Sequence, residues 1–150
     1  MPFIEGTKIV RLVTLLVLCL IVAGCSLVMD SDFATQKEAD AAGMVRKGWI
    51  PEWVPREATK LREVHDLDSN ASQLSFFMPP GTGLDLPPVC RPVAYAQAAP
   101  AAFNRPWWPG DRALERSYRF LECNTEFDKT VFIAISNAGD RVLYWRTYMR

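Results

Sequence analysis

The sequence has few of the residues on which common catalytic sites depend. His65 is the single histidine, and no serine lies in the G-x-S-x-G turn that carries the nucleophile of α/β-hydrolases. The Gly-Thr-Gly segment at residues 81–83 is too short for a phosphate-binding loop and lacks the Lys and Ser or Thr that would follow. We therefore expect a protein that is not an enzyme and that binds no cofactor.

His65 lies beside two carboxylates, Asp66 and Asp68, which suggests a metal site or a general base. Successive side chains on a strand point to opposite faces of a sheet, so the side chains of His65 and Asp66 would not converge. Asp68 is better placed to cap the turn that follows. We interpret these residues as structural and predict no metal site.

The N-terminal apolar run is too short to cross a membrane. It covers residues 12–23, about 12 residues where a spanning helix needs about 20. Lys8 and Arg11 precede it, and small residues and Cys25 follow it, an order typical of a secretory signal. The sequence Val-Ala-Gly-Cys at residues 22–25 resembles the bacterial lipobox, which implies that Cys25 is lipidated and becomes the mature N-terminus.

Ser26 follows the lipidation cysteine, where an Asp would signal retention in the inner membrane. The resemblance to a lipobox thus implies an outer-membrane lipoprotein that faces the periplasm, rather than an inner-membrane one. We divide the chain into a signal peptide at residues 1–24, a lipidated cysteine with a flexible tether at residues 25–43, and one globular periplasmic domain at residues 44–150.

The charge of the mature chain excludes one class of partner. Removal of residues 1–24 would leave about 15 basic and 16 acidic residues. A near-neutral domain has no broad basic face to neutralise phosphates, and the release of counterions supplies most nucleic-acid affinity. We expect the membrane, through the lipid, and a protein as partners, and no nucleic acid.

Two of the four cysteines remain for the domain, because Cys19 leaves with the signal and Cys25 carries the lipid. Cys90 and Cys123 form an even pair in an oxidising compartment, which predicts a disulfide between them. It would close a loop of about 34 residues, worth roughly 4 kcal/mol in the chain-entropy model. Two cysteines and one distant histidine do not make a zinc site.

The pattern of apolar residues predicts an α+β domain on a small antiparallel sheet of about four to five strands, preceded by the cleaved signal helix. Alternation predicts a strand at residues 73–78, whereas residues 59–67 alternate less cleanly and form either a bulged strand or a helix; the turn at residues 68–70 favours a hairpin of the two. Strands are also predicted at 117–123, 130–136 and 141–148, and residues 137–140 are predicted to form the hairpin turn between the last two. Short helices are expected within residues 35–42 and 93–102, and the proline-rich residues 78–92 are expected to form a loop.

Two segments are candidates for contact with a partner. Trp107 and Trp108 lie between prolines. Either one of them plugs the core and the other covers a loop, which we favour, or the exposed pair anchors an interface, to which Trp53 could also contribute. The loop at residues 79–88 precedes Cys90, and its candidate contact residues are Thr82, Leu84 and Asp85.

Four short pieces of the sequence resemble the YbbD head domain family of small bacterial lipoproteins. They are residues 53–61 (WVPREATKL), 65–70 (HDLDSN), 107–109 (WWP) and 144–146 (YWR). The resemblance implies a compact lipoprotein domain without established catalytic residues. Because some relatives occur in polymorphic-toxin neighbourhoods, it also suggests an immunity role.

These expectations favour a non-enzymatic, protein-binding lipoprotein in the periplasm, with an immunity protein against a periplasm-acting toxin as its concrete form. The alternative is a structural component of a cell-envelope or secretion assembly. A weaker alternative, a small enzyme or ligand-binding lipoprotein, would require a deep pocket lined by polar groups.

Overall fold

The structure, a computed structural model, describes residues 27–126 and 130–147. The predicted signal peptide, the predicted lipidation site Cys25 and the last predicted strand residue, Tyr148, lie outside the described residues. No helix among the residues described here is both long and apolar enough to cross a membrane.

Within the described residues, the fold is built on one antiparallel sheet of seven strands, with the spatial order β1-β2-β3-β7-β6-β5-β4. In this part of the chain, two short α-helices and one 3-10 turn (Tyr95–Gln97) connect the strands. The strands are β1 (Val28–Thr35), β2 (Thr59–Asp66), β3 (Ser72–Phe77), β4 (Arg91–Val93), β5 (Tyr118–Glu122), β6 (Val131–Ser136) and β7 (Arg141–Arg146). The helices are α1 (Gln36–Ala41) and α2 (Asp111–Ser117).

The predicted count of four to five strands is wrong, because neither edge strand has the alternation of apolar residues from which strands were predicted. The domain is mostly β with some helix. β1 pairs with β2 along its length, yet it carries Asp30 and Asp32 and so lacks the alternation of a half-buried strand. β4 has only three residues and contains Pro92, which cannot donate to a ladder and is tolerated at a sheet edge.

Residues 28–41, which we assigned to a flexible tether, are part of the folded domain. β1 holds the edge of the sheet, and α1 follows it at once. Thr35 caps α1, because its Oγ1 accepts a hydrogen bond from Glu38 N at 3.3 Å, and Glu38 Oε2 accepts one from Ala34 N at 2.9 Å. Ala39 of α1 is fully buried. The short helix predicted here is confirmed, and the domain boundary predicted at residue 44 is wrong.

Both predicted hairpins form. β2 and β3 pair antiparallel, with a register shift between Thr59 and Arg62. Asp66, rather than Asp68, holds their turn: its Oδ1 accepts from Asp68 N at 2.9 Å and its Oδ2 accepts from Ser69 Oγ at 2.8 Å. The β6–β7 turn contains Gly139 at a φ of 75°, a conformation that favours glycine.

The two faces of the sheet are covered by different parts of the chain. The first face packs against residues 39–58 and the loop at residues 84–90; its fully buried side chains include Leu61, Leu74, Phe76 and Val142. The second face packs against residues 93–118 with a smaller cluster, formed by Leu114, Phe120, Phe132, Ala134, Leu143 and Trp145. The predicted Cys90–Cys123 disulfide is present and ties the loop to the first face.

Candidate binding site

An open cleft of about 590 Å³ lies on the second face, at the end of the sheet where β2 and β7 begin and β3 ends. Aromatic and cationic side chains from segments far apart in sequence meet there. The cleft is lined chiefly by Asp32, Lys60, Arg62, Ser75, Phe77, Trp107 and Arg141. This combination suits a ligand that offers both an apolar surface and negative charge.

The two adjacent tryptophans at the cleft have different environments. The ring of Trp108 packs edge-on against the buried Trp145, with 5.7 Å between centroids, and it belongs to the second-face cluster. Trp107 contacts Trp108 edge-on at 5.9 Å and lines the cleft without joining that cluster. One tryptophan therefore packs on the core, as we favoured, and the other forms a wall of the cleft.

Arg141 attaches the tryptophan segment to the sheet. Its Nε donates to Ser75 Oγ at 3.2 Å, and its Nη2 donates to the main-chain carbonyl of Trp107. Its guanidinium also lies 5.3 Å from the ring centroid of Phe77, its cross-strand neighbour. These contacts fix the position of Trp107 relative to Phe77, so the cleft is preformed.

Lys60 lies in the cleft at the point where the backbone of β2 bulges. The register of β2 against β3 shifts between Thr59 and Arg62, and Lys60 has a φ of 52°. A left-handed conformation costs a non-glycine residue about 1 to 2 kcal/mol. The bulge places Lys60 Nζ 5.7 Å from the ring centroid of Phe77, so that ring lies near two cations. Strain of this kind clusters at functional sites.

The charge at the cleft is predominantly positive. Three cationic side chains line it, and the only carboxylate in the lining is that of Asp32. Arg62 Nε lies 3.3 Å from Asp32 Oδ1, but both side chains are exposed, so this ion pair contributes little to stability. The remaining positive charge favours a partner surface that carries carboxylates.

Trp53 does not share a surface with the other two tryptophans. It packs against the first face, where its ring lies 6.2 Å from the ring of Phe76 and 6.0 Å from that of Tyr144. Trp107 and Trp108 lie on the opposite face of the sheet. The docking patch that would have joined all three residues is therefore not formed.

The loop that was expected to contact a partner is largely packed on the domain. Leu84 and Leu86 lie against the first-face core. Thr82 lines a shallow pocket of about 450 Å³ together with Arg119, and Asp85 is exposed. Of the three predicted contact residues, Asp85 alone is exposed.

A buried acid–imidazole pair lies on the first face, and sequence reasoning missed its acidic member. Glu63 is 1% exposed, and its Oε1 lies 2.9 Å from Nδ1 of the buried His65. Trp49 stacks on the imidazole, with 3.8 Å between ring centroids. The spacing of two residues along β2 could have revealed the pair, because residues i and i+2 of a strand share a face.

Burial shifts both groups of this pair toward their neutral forms. Desolvation, with a smaller contribution from the charge of Asp30, raises the pKa of Glu63 from 4.5 to about 8. Desolvation, followed by the positive charge of Lys47, lowers the pKa of His65. Burial thus favours a protonated Glu63 carboxyl group beside a neutral imidazole at neutral pH.

Ser72 lies directly across from His65 in the sheet, so an acid, an imidazole and a hydroxyl adjoin. The Ser72 hydroxyl is buried and has no hydrogen-bond partner among the described residues. It is therefore not engaged by His65 as a nucleophile would be by its general base. No group of three or more His, Cys, Asp or Glu side chains that could hold a metal ion occurs within residues 27–126 and 130–147.

Fold and site together define a small, disulfide-bonded, mostly β domain with an aromatic and cationic cleft on one face. The model of the YbbD head domain family matches residues 28–77, so the part of the chain that covers β1 to β3 is similar to that family. Two of the four pieces that carried the predicted resemblance lie inside this match, and residues 107–109 and 144–146 lie outside it. The searches of curated proteins and of solved structures found no match.

Proposed function

We propose that this chain is a lipoprotein anchored to the outer membrane through Cys25, and that it acts in the periplasm as a non-enzymatic protein-binding module. The observation that carries the binding role is the cleft formed by Trp107, Phe77, Lys60 and Arg141. The lipobox at residues 22–25 supports the anchor.

The chemistry of the cleft favours an acidic protein segment as the ligand. Tryptophan and arginine are the residues most enriched among interface hot spots, and Trp107 stands half-buried at the cleft with Arg141 behind it. Lys60 adds a positive charge that would attract carboxylates and speed association. Because Arg141 already fixes the main chain at Trp107, binding would require little ordering of this wall.

A concrete form of this function is immunity: the domain would bind and block a toxin that acts in the periplasm. The disulfide and the two covered sheet faces support this form, because a preorganised inhibitor loses less conformational entropy on binding. The binding surface that we assign is the cleft on the second face, and not the loop at residues 79–88, whose leucines pack on the domain.

Affinity purification of the full-length protein from solubilised envelopes tests the binding role. We expect Trp107→Ala to weaken capture of the partner by about 2 kcal/mol, or roughly thirtyfold, which is the effect of a hot spot. Lys60→Glu should also weaken capture, whereas Lys37→Glu, an exposed lysine on α1, should not. Equal capture by all four proteins would refute the cleft as the binding surface.

The identity of the captured partner distinguishes immunity from the structural alternative. A soluble secreted toxin, together with sensitivity of a deletion strain to sibling cells, would establish immunity. Components of an envelope or secretion assembly would instead establish the structural role. The anchor is tested separately: Cys25→Ser should leave the precursor unprocessed or release the protein from the membrane.

A further inference from the structure

Three exposed apolar side chains lie together at the end of the sheet nearest the predicted lipid. Among the described residues, four large apolar side chains are strongly exposed: Leu27 at 47%, Met29 at 49%, Leu67 at 54% and Val89 at 47%. The first three form one patch, which we call the apolar end. Leu67 N donates to Leu27 O at 3.0 Å, and Met29 pairs with His65, two residues before Leu67.

We propose that the apolar end lies against the phospholipid bilayer and inserts these side chains at its surface. The inference rests on lipidation at Cys25, because that residue is only two positions before Leu27. Two residues of extended chain span at most about 7 Å. Since β1 begins at Val28, only Ser26 and Leu27 would lie between the lipidated residue and the sheet.

A bilayer fits this patch better than a second protein does. Three side chains form a much smaller surface than the roughly 1,000 Å² that a stable protein interface requires. Contact with the bilayer has no such threshold, because the acyl chains already hold the domain there and raise the effective concentration of the patch. Burial of an exposed leucine in an apolar medium is favourable without further contacts.

The charges near the patch indicate apolar insertion rather than attraction to anionic lipid. Asp66 and Asp68 flank Leu67 in the β2–β3 turn, and Arg146 Nε donates to the main-chain carbonyl of Asn70 at 3.0 Å. These charges do not add up to a basic patch. We therefore expect the contact to form on a zwitterionic bilayer.

This orientation places the candidate cleft away from the membrane. The apolar end contains the start of β1 and the end of β2, whereas the cleft residues Lys60 and Arg141 lie at the start of β2 and β7. The two ends are separated by the length of the strands, about 20 Å for six residues. The cleft would thus open toward the periplasm, where a soluble partner can reach it.

Nitroxide accessibility on the full-length lipidated protein in phosphatidylcholine vesicles tests the orientation. A label at Leu67→Cys is compared with one at Ala138→Cys, an exposed position in the β6–β7 turn at the opposite end of the strands. Labelling is selective because lipid occupies Cys25 and the disulfide occupies Cys90 and Cys123. Met29→Cys provides a second probe of the apolar end.

We expect labels at residues 67 and 29 to lose collisions with a water-soluble nickel complex and to gain collisions with oxygen severalfold. The label at residue 138 should remain fully accessible to nickel. If the protein floats with the vesicles while all three labels stay aqueous, the anchor holds and the proposed orientation is wrong. If the protein does not float with the vesicles, the anchor fails, and the orientation fails with it.

Discussion

The two faces of the sheet differ in how completely the chain covers them. On the first face, residues 39–58 and the loop at residues 84–90 cover a continuous apolar cluster, and even Glu63 and His65 are buried there. On the second face, Trp108 and Trp145 anchor a smaller cluster, and the sheet beside it remains open as the cleft. The comparison teaches that the first face holds the larger share of the buried core, whereas the second face leaves open the cleft to which we assign binding.

The largest expected effect is on the first face, at the disulfide. Cys90→Ala combined with Cys123→Ala should lower the free energy of unfolding by about 4 kcal/mol, because the unfolded chain loses a loop constraint over a separation of 33 residues. Urea denaturation of the oxidised protein and the double variant measures this difference. A loss below about 1 kcal/mol would show that the disulfide does not hold the first face together.

The adjacent tryptophans of the second face should separate stability from binding. Trp108→Ala should lower the free energy of unfolding by about 3 kcal/mol, because its ring packs on Trp145, whereas Trp107→Ala should cost about 1 kcal/mol or less. Thermal and urea unfolding of both variants provides the measurement. Equal losses would mean that Trp107 is a core residue, and the distinction between core and cleft would fail.

The buried pair on the first face predicts a loss of stability with rising pH. The folded protein binds the Glu63 proton more tightly than the unfolded chain does, because its pKa is raised from 4.5 to about 8. Protonation of Glu63 therefore contributes stability that is complete below pH 4.5 and is lost as the pH rises through about 8. The lowered pKa of His65 has the opposite effect, with stability present above the ordinary pKa of 6.5 and lost as the pH falls through the folded-state pKa. Only the effect of Glu63 remains between pH 6.5 and 8.

We therefore expect the free energy of unfolding to fall by about 2 kcal/mol between pH 6.5 and 8.5. In Glu63→Gln this dependence should disappear, because an amide does not titrate in this range. Urea denaturation at a series of pH values measures both proteins. A wild-type protein whose stability is constant or rises across this window would contradict the assignment of a protonated Glu63.

The smallest expected effect is at the bulge that forms part of the cleft. Lys60→Gly should raise the free energy of unfolding by about 0.5 kcal/mol, because glycine relieves the left-handed conformation but has greater freedom in the unfolded chain. Arg62→Gly is the matched control: it removes another cleft cation from the same strand, without a positive φ, and should destabilise. A loss of stability in both variants would argue against strain at Lys60.

The features that the sequence predicted are those encoded by neighbouring residues. The β2–β3 hairpin was predicted from the alternation of Leu74 and Phe76 and from the turn residues near Asp66. The disulfide was predicted because two cysteines remain once Cys19 and Cys25 are assigned to the signal peptide and the lipid. β1 was missed because an edge strand with one exposed side tolerates polar residues such as Asp30 and so carries no apolar alternation.

The cleft could not be predicted, because its residues become neighbours only through the sheet order. Asp32, Lys60, Phe77, Trp107 and Arg141 are spread over most of the chain, and the pairing of β3 with β7 brings the last of them beside Phe77. The bulge at Lys60 likewise depends on the pairing of β2 with β3. The sequence drew attention to Trp107, but it did not distinguish that residue from Trp108.

Site-specific photo-crosslinking in living cells tests the central claim most directly. A photoreactive amino acid is placed at Arg62, which is exposed at the cleft, and at Arg56, which is exposed in the segment that covers the first face. The account predicts a discrete protein adduct from position 62 and none from position 56. Adducts of equal yield from both positions, or an adduct from position 56 alone, would contradict it.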